Sequence, residues 1–242
     1  MGSWVQQRAA IVGGYDDPAG LVLVGGGELL FYQTNFPTAE NPLSENGIWR
    51  QLDTPNETVC QIISSGKCGG TMAGGGFDDS QMWIPSFQQN NYKVSAVVGK
   101  NITSGDNNQE VEILVGYRDD YTLRDTVTFG FTRCNGYEVN IHWNGAYCNI
   151  GRFKGAAISN PSTVPVPADG DLFEVTYTVS SGNPTIAMFW NGSAIGLTTG
   201  GTSITDTDPL KISSGGPGIG FFYHAGASPG EFFFKSVTVT KI

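Results

Sequence analysis

Glu110 and Glu112 are the residues of this sequence whose spacing most directly allows chemistry. Alternate residues of one β-strand share a face about 7 Å apart. Glycoside hydrolysis needs two carboxyl groups about 5–10 Å apart, one acting as acid and the other as base or nucleophile. The pattern stops there, because the next position on that face is Leu114. Val111, Ile113, Val115 and Tyr117 make the opposite face apolar, so the core is expected on that side and the two glutamates are expected to face water. His142 is the other residue suited to acid–base work. No Ser or Cys can be assigned to it as nucleophile, and the G-x-S-x-G turn is absent. His224 closes a late strand and carries no assignable role.

Metal chemistry has little support. The four cysteines, Cys60, Cys68, Cys134 and Cys148, form no C-x-x-C pair and there are only two histidines, which argues against structural zinc. Oxygen-rich segments at Asp78-Asp79, Arg118-Asp119-Asp120, Asp169-Gly170-Asp171 and Asp206-Thr207-Asp208 would suit calcium. Most Asp-Gly turns are only turns, and neither EF-hand spacing nor a phosphate-cradling glycine loop is present. The expected cofactor is therefore none, with calcium as the candidate cation.

The elements that must position these residues are strands. Short alternating runs bounded by Gly, Asn, Asp and Pro recur throughout, with no sustained helical period. Many strands with no helix between them mean an antiparallel sandwich or barrel. Asn135-Gly136, Asn144-Gly145 and Asn191-Gly192 each separate alternating runs, the strongest short hairpin signal. The first two predict a meander from about Thr126 to Phe153 in which Arg133 opposes Glu138, Phe131 opposes Asn140 and Phe129 opposes His142. On the next hairpin His142 opposes Tyr147, Ile141 opposes Cys148 and Asn140 opposes Asn149. Cys134 and Cys148 then lie on non-adjacent strands, too far apart for a disulfide. Cys60 and Cys68 could pair only if the turn around Ser64–Gly66 is wider than a tight hairpin.

This register separates two faces. Val139, Ile141, Trp143, Ala146, Cys148 and Ile150 form a core face. The other carries Phe129, Phe131, Arg133, Glu138, Asn140, His142, Tyr147 and Asn149. Aromatic planes can stack on pyranose rings while the polar side chains bond to hydroxyls. These eight residues are the candidate ligand-binding set, with Phe129 and Phe131 as stacking platforms and no catalytic or metal-ligating residue assigned.

Composition narrows the class. The 242-residue chain has only 14% charged residues and a net charge of −9, against about 25% charged in an average domain. Amides, hydroxyls and glycine must solvate its surface, as in extracellular, virion or sugar-handling β-proteins. An acidic chain offers no footprint for nucleic acid or an anionic membrane, and its apolar runs are too short to span a bilayer. Met1 to Gln7 lacks the pattern of a signal peptide, so either a leader has been removed or export follows another route. Residues 1–32, rich in glycine punctuation, are expected to form an N-terminal extension, either an edge strand or an arm that docks on another copy or on a capsid or filament protein. Residues 33–242 are expected to form the sandwich.

Asn41-Pro42-Leu43-Ser44-Glu45-Asn46-Gly47-Ile48-Trp49 resembles the opening of concanavalin A-like or laminin-G-like sandwich modules of bacterial and phage proteins. Phe129 to Cys134 leading into Gly136-Tyr137, Trp190-Asn191-Gly192, Gly216 to Phe221 and the closing strand Phe232 to Val239 are similar to such modules too. The resemblance implies an all-β, two-sheet antiparallel jelly-roll whose concave face commonly binds glycans. Neither a complete row of acids after Glu112 nor the Gln-x-His of the lyases is present, His142 standing in Asn140-Ile141-His142. The expected function is a non-catalytic recognition or assembly module, binding glycan or decorating a virion or extracellular surface. A polysaccharide-cleaving hydrolase or lyase is the alternative.

Overall fold

The computed structural model describes residues 22–24, 28–51, 58–71, 77–87, 89–102, 108–118, 135–152, 157–209, 211–224 and 230–242. Its strands in chain order are β1 (Val22–Val24), β2 (Glu28–Thr34), β3 (Arg50–Gln51), β4 (Cys60–Ser64), β5 (Lys67–Gly70) and β6 (Phe77–Trp83). Then come β7 (Asn91–Lys100), β8 (Gln109–Arg118), β9 (Asn135–His142), β10 (Cys148–Arg152), β11 (Ala157–Ser159) and β12 (Leu172–Ser180). The last are β13 (Asn183–Trp190), β14 (Ser193–Ala194), β15 (Ser203–Thr205), β16 (Gly216–His224) and β17 (Phe232–Lys241). Among the described residues there is no helix.

The strands form two antiparallel sheets, as a jelly-roll requires. The first runs β1-β2-β17-β7-β12-β13-β14, with β15 on β13, β5 on β17 and β4 on β5. The second runs β11-β10-β9-β8-β16-β6-β3. Alternation decides which side of each strand is buried. Val94, Ala96 and Val98 of β7, Val175 and Tyr177 of β12 and Ile186 and Met188 of β13 point inward from the first sheet. They meet Val111, Ile113 and Val115 of β8, Val139 and Ile141 of β9, and Ile219 and Phe221 of β16. The segment expected as an N-terminal extension contributes β1 and the start of β2 to the first sheet. Its first 21 residues lie outside the described residues.

The motif that carried the resemblance is a clasp at the sandwich margin. Leu43 and Trp49 are buried in the core. Glu45 accepts hydrogen bonds from Tyr32 Oη and Thr34 Oγ1, and from Trp49 Nε1 at 2.9 Å. The loop is thereby tied to β2.

The three Asn-Gly pairs behave differently. Asn191 (φ 51°) and Gly192 (φ 76°) form the expected two-residue turn, with Trp190 opposite Ser193. The pairings Ile141↔Cys148 and Asn140↔Asn149 are as expected, although only Gly145 (φ 73°) of the intervening Asn-Gly has a positive φ. Asn135-Gly136 is a correction: it is no hairpin but the first two residues of β9, which is flanked by β8 and β10. The 126–134 segment lies outside the described residues. Gly136 is required by close approach, since a Cβ there would sit 2.1 Å from the Tyr117 ring.

Tyr117 is a second correction. The strand pattern put it with Val115 on the core face, but a bulge between Val115 and Arg118, with Gly116 at φ 64°, turns it to the opposite face. There it packs on Trp83 and Leu114. Cys60 and Cys68 are buried free thiols because the tight Ser64↔Lys67 hairpin sets Cys68 opposite Ile62 rather than Cys60. Cys148 is also free and buried; Cys134 is outside the described residues.

Gly136→Ala is expected to lower stability by about 1–3 kcal/mol in chemical denaturation, the cost of overpacking a filled site. Gly136→Asn should be no milder, although asparagine suits a hairpin turn. An unchanged denaturation midpoint in either variant would contradict the packing of Tyr117 on β9.

Candidate functional site

Three rows cross the second sheet on the face turned away from the core. The first is Asp79, Phe222, Glu110 and His142, on β6, β16, β8 and β9. The second is Gln81, Gly220, Glu112, Asn140 and, on β10, Asn149. The third is Trp83, Gly218, Leu114, Glu138 and Gly151. Strand pairing brings these side chains together, from segments as far apart in sequence as Asp79 and Phe222.

The expectation that Glu110 and Glu112 face water is overturned. Glu110 is 6% exposed and Glu112 only 1%. One oxygen from each of Glu110, Glu112 and Glu138 lies within 4.8 Å of the others, close enough for their charges to repel strongly in a buried setting. The third acid that Leu114 denied to β8 stands on the next strand, directly opposite Leu114.

Each carboxylate has a polar donor held by a further contact. Tyr147 Oη donates to Glu110 Oε1, and its ring lies 4.7 Å from that of His142. Gln81 Nε2 donates to Glu112 Oε2 at 3.3 Å while Tyr117 Oη donates to Gln81 Oε1 at 3.1 Å. Asn140 Nδ2 donates to Glu138 Oε1 at 2.9 Å, and Asn140 Oδ1 accepts from Asn149 N at 2.9 Å. His142 pairs through Nδ1 with Asn144 Oδ1 at 2.6 Å and through Nε2 with Asn108 Oδ1 at 3.2 Å.

Crowded acids resist ionisation. Burial, joined by the charge of Asp79, outweighs the Tyr147 hydrogen bond and lifts Glu110 to about 7. Burial, with Glu138, Asp79 and Glu110 nearby, holds Glu112 well above the carboxylate range. The Tyr147 phenol is pushed up by burial and by Glu110. His142 is pushed down by burial, against the pull of Asn144.

Of the eight sequence candidates, the structure brings Glu138, Asn140, His142, Tyr147 and Asn149 onto this face; Phe129, Phe131 and Arg133 lie outside the described residues. Asp79, Gln81, Trp83, Tyr117 and Phe222 also belong to it. The period-two row Asp79, Gln81, Trp83 was the signal available for three of them. The face is no open platform: Asn140 and His142 are buried, whereas Glu138, Tyr147 and Asn149 are half-buried.

The described carboxylates of the proposed calcium segments bond within the chain. Asp169 accepts from Lys100 N and Lys235 Nζ, and Asp171 from Ala168 N, Trp190 Nε1 and Asn191 Nδ2. Asp206 accepts from Tyr137 Oη and Arg152. Burial opposes its charge, but these bonds hold its carboxyl below the usual range. Asp79 lies on a strand rather than a loop, and Asp119 and Asp120 are outside the described residues.

No protein-family model and no curated protein matches this sequence. An endo-1,3-β-glucanase from Streptomyces sioyaensis has a similar structure, with TM-score 0.57 at 11% identity over 91% of this chain and 99% of that one. A protein of unknown function with a galectin-like fold from Bacillus subtilis has TM-score 0.50 at 11% identity, over 88% and 96% of the two chains. At such identities the likeness is one of fold, and the chain has the concanavalin A-like jelly-roll sandwich.

Proposed function

We propose that this protein binds a neutral glycan at the acid-lined face of the second sheet, entering over Glu138, Tyr147 and Asn149. The observation that carries the reading is the set of carboxylates from Glu110, Glu112 and Glu138 converging within 4.8 Å. Three carboxyl groups offer six oxygens, and those that carry no proton only accept hydrogen bonds. A ligand rich in hydroxyl donors satisfies such a site, whereas a uronate or sulfated sugar adds charge of the same sign. The net charge of −9 acts in the same direction. The half-buried Tyr147 ring offers an apolar plane at the rim. The low charged fraction supports display on an extracellular or virion surface, where weak contacts add through multivalency.

A second reading, glycoside hydrolysis, is favoured by the same spacing. Retaining glycosidases place their two carboxyl groups about 5–5.5 Å apart, and environments that push acid pKa values to different heights suit one acid and one base. Glu110 and Glu138 would then be the groups that touch the scissile bond.

Calorimetric titration with neutral β-glucan, galactan and mannan oligosaccharides, beside a uronic-acid polymer, tests the binding reading. Binding to a neutral member, weakened about tenfold by Glu138→Gln, is expected, since a hydrogen bond to a charged group contributes about 1.5–3 kcal/mol. Preference for the uronic polymer would overturn it. New reducing ends that appear with wild type and not with Glu110→Gln would establish hydrolysis.

The acids also set a pH dependence. Glu110 titrates near 7 when folded against 4.5 as its ordinary value. Between these values the folded chain holds a proton that the unfolded chain has released, so stability falls as pH rises through this window. Melting temperature is therefore expected to drop from about pH 5 to about pH 8, and Glu110→Gln should flatten the drop. Below the usual carboxylate range Asp206 acts in the opposite sense, losing its stabilising charge.

A further inference from the structure

The centre of the three rows is a glycine. Gly220 of β16 lies between Glu112 on β8 and Gln81 on β6. A Cβ at Gly220 would stand 2.1 Å from Glu112 Oε2, so the carboxyl group occupies the space a side chain would take. Through that gap Glu112 crosses β16 to reach Gln81 Nε2 at 3.3 Å, two strands away. Gln81 cannot rotate its amide freely, because its Oε1 accepts from Tyr117 Oη.

Glu112 is faced by Glu110 and Tyr117 on its own strand, by Glu138, Asn140 and His142 on β9, by Asp79 and Gln81 on β6, and by Tyr147 from the β9–β10 turn. On β16 Gly220 stands directly opposite it and Phe222 lies beside Gly220 on the same face, and neither titrates. Carboxylates so close cannot all be ionised in a low-dielectric setting. The most enclosed of them is Glu112.

We propose that Gly220 and Gln81 are positioning residues that draw Glu112 across β16, away from Glu110 and Glu138; Glu112 is the proton-holding carboxyl of the site, and Glu110 and Glu138 are the acids that meet the ligand. The Gln81 amide tempers the proton affinity that burial and the neighbouring acids raise. A protonated Glu112 supplies one O–H donor among acceptors. The role of Glu110 and Glu138 toward a ligand rests on the glycan reading above; the placement of Glu112 does not.

The test is a titration of the glutamate side-chain carbons by NMR, in metal-free buffer without ligand, on wild type, Gly220→Ala and Gln81→Met. In Gly220→Ala the added methyl group displaces Glu112 from Gln81 toward Glu110 and Glu138. Loss of a donor and closer like charges both disfavour ionisation, so the Glu112 midpoint should rise by about one pH unit. Gln81→Met removes the donor without filling the gap and should raise it too, which keeps the test available if Gly220→Ala does not fold. With Glu112→Ala as background, Gly220→Ala should leave the Glu110 and Glu138 midpoints where they were. A Glu112 midpoint that is unchanged in Gln81→Met, or that lies within the ordinary carboxylate range in wild type, would overturn the proposal. Titration of the same samples with the neutral oligosaccharides separates the two readings: absent binding with the expected midpoints removes the glycan reading and leaves the positioning intact.

Discussion

The Gly116 amide donating to the Tyr92 hydroxyl at 2.7 Å is the contact on which the site depends. A bulge removes one N–H from the strand ladder, and a buried N–H without an acceptor costs about twice what an ordinary hydrogen bond contributes. Tyr92, from β7 of the opposite sheet, supplies that acceptor in the core. With the bulge secured, Tyr117 turns away from the core to the far face of β8. There it packs against Gly136 and holds Gln81, which holds Glu112. A core contact between the sheets thus determines which way a side chain points on the outer face of one of them.

The two sheets divide the work. In the first sheet β13 alternates in burial along its whole length. That sheet's contribution is an apolar wall and the rings of Tyr92 and Tyr177, which lie against each other, Tyr177 also approaching Tyr137 of the second sheet. β8 is different, buried on both faces from Gln109 to Tyr117. Antiparallel sheets commonly leave one face to water. A strand covered on both sides normally reads as a continuous apolar run, and β8 instead carries two acids there. Their desolvation is offset by the core contacts of Val111, Ile113 and Val115 and by donors from two other elements, Tyr147 of the β9–β10 turn and Gln81 of β6.

Asp206 repeats this logic with the opposite outcome. It too is buried, but Arg152 binds both of its oxygens while Tyr137 donates to one. The charge is matched, its proton affinity falls, and it fastens the segment after β15 to β9 and β10. Glu110 and Glu112 accept from a phenol and an amide, and their proton affinities rise. The former carboxylate is an element of architecture; the latter pair lacks a cationic partner among the hydrogen bonds it makes.

The sequence by itself determined the class of fold, because period-two alternation and turn residues act over a few positions and need no distant partner. It set the Ile141↔Cys148 register and marked Glu138, Asn140, His142, Tyr147 and Asn149 as one face. It also showed Glu110 and Glu112 sharing a side. Only the tertiary structure decided what lay next to what. Asn135-Gly136 reads as a turn from composition, yet its glycine answers to the Tyr117 ring, a neighbour 19 positions earlier. A one-residue bulge at Gly116 reversed Tyr117, since every side chain beyond an inserted residue changes face. Whether the side of β8 opposite the core meets water or protein depends on what covers it, which no local pattern records. The union of Glu110 and Glu112 with Glu138 is a product of strand order, and strand order is settled by the packing of the whole core.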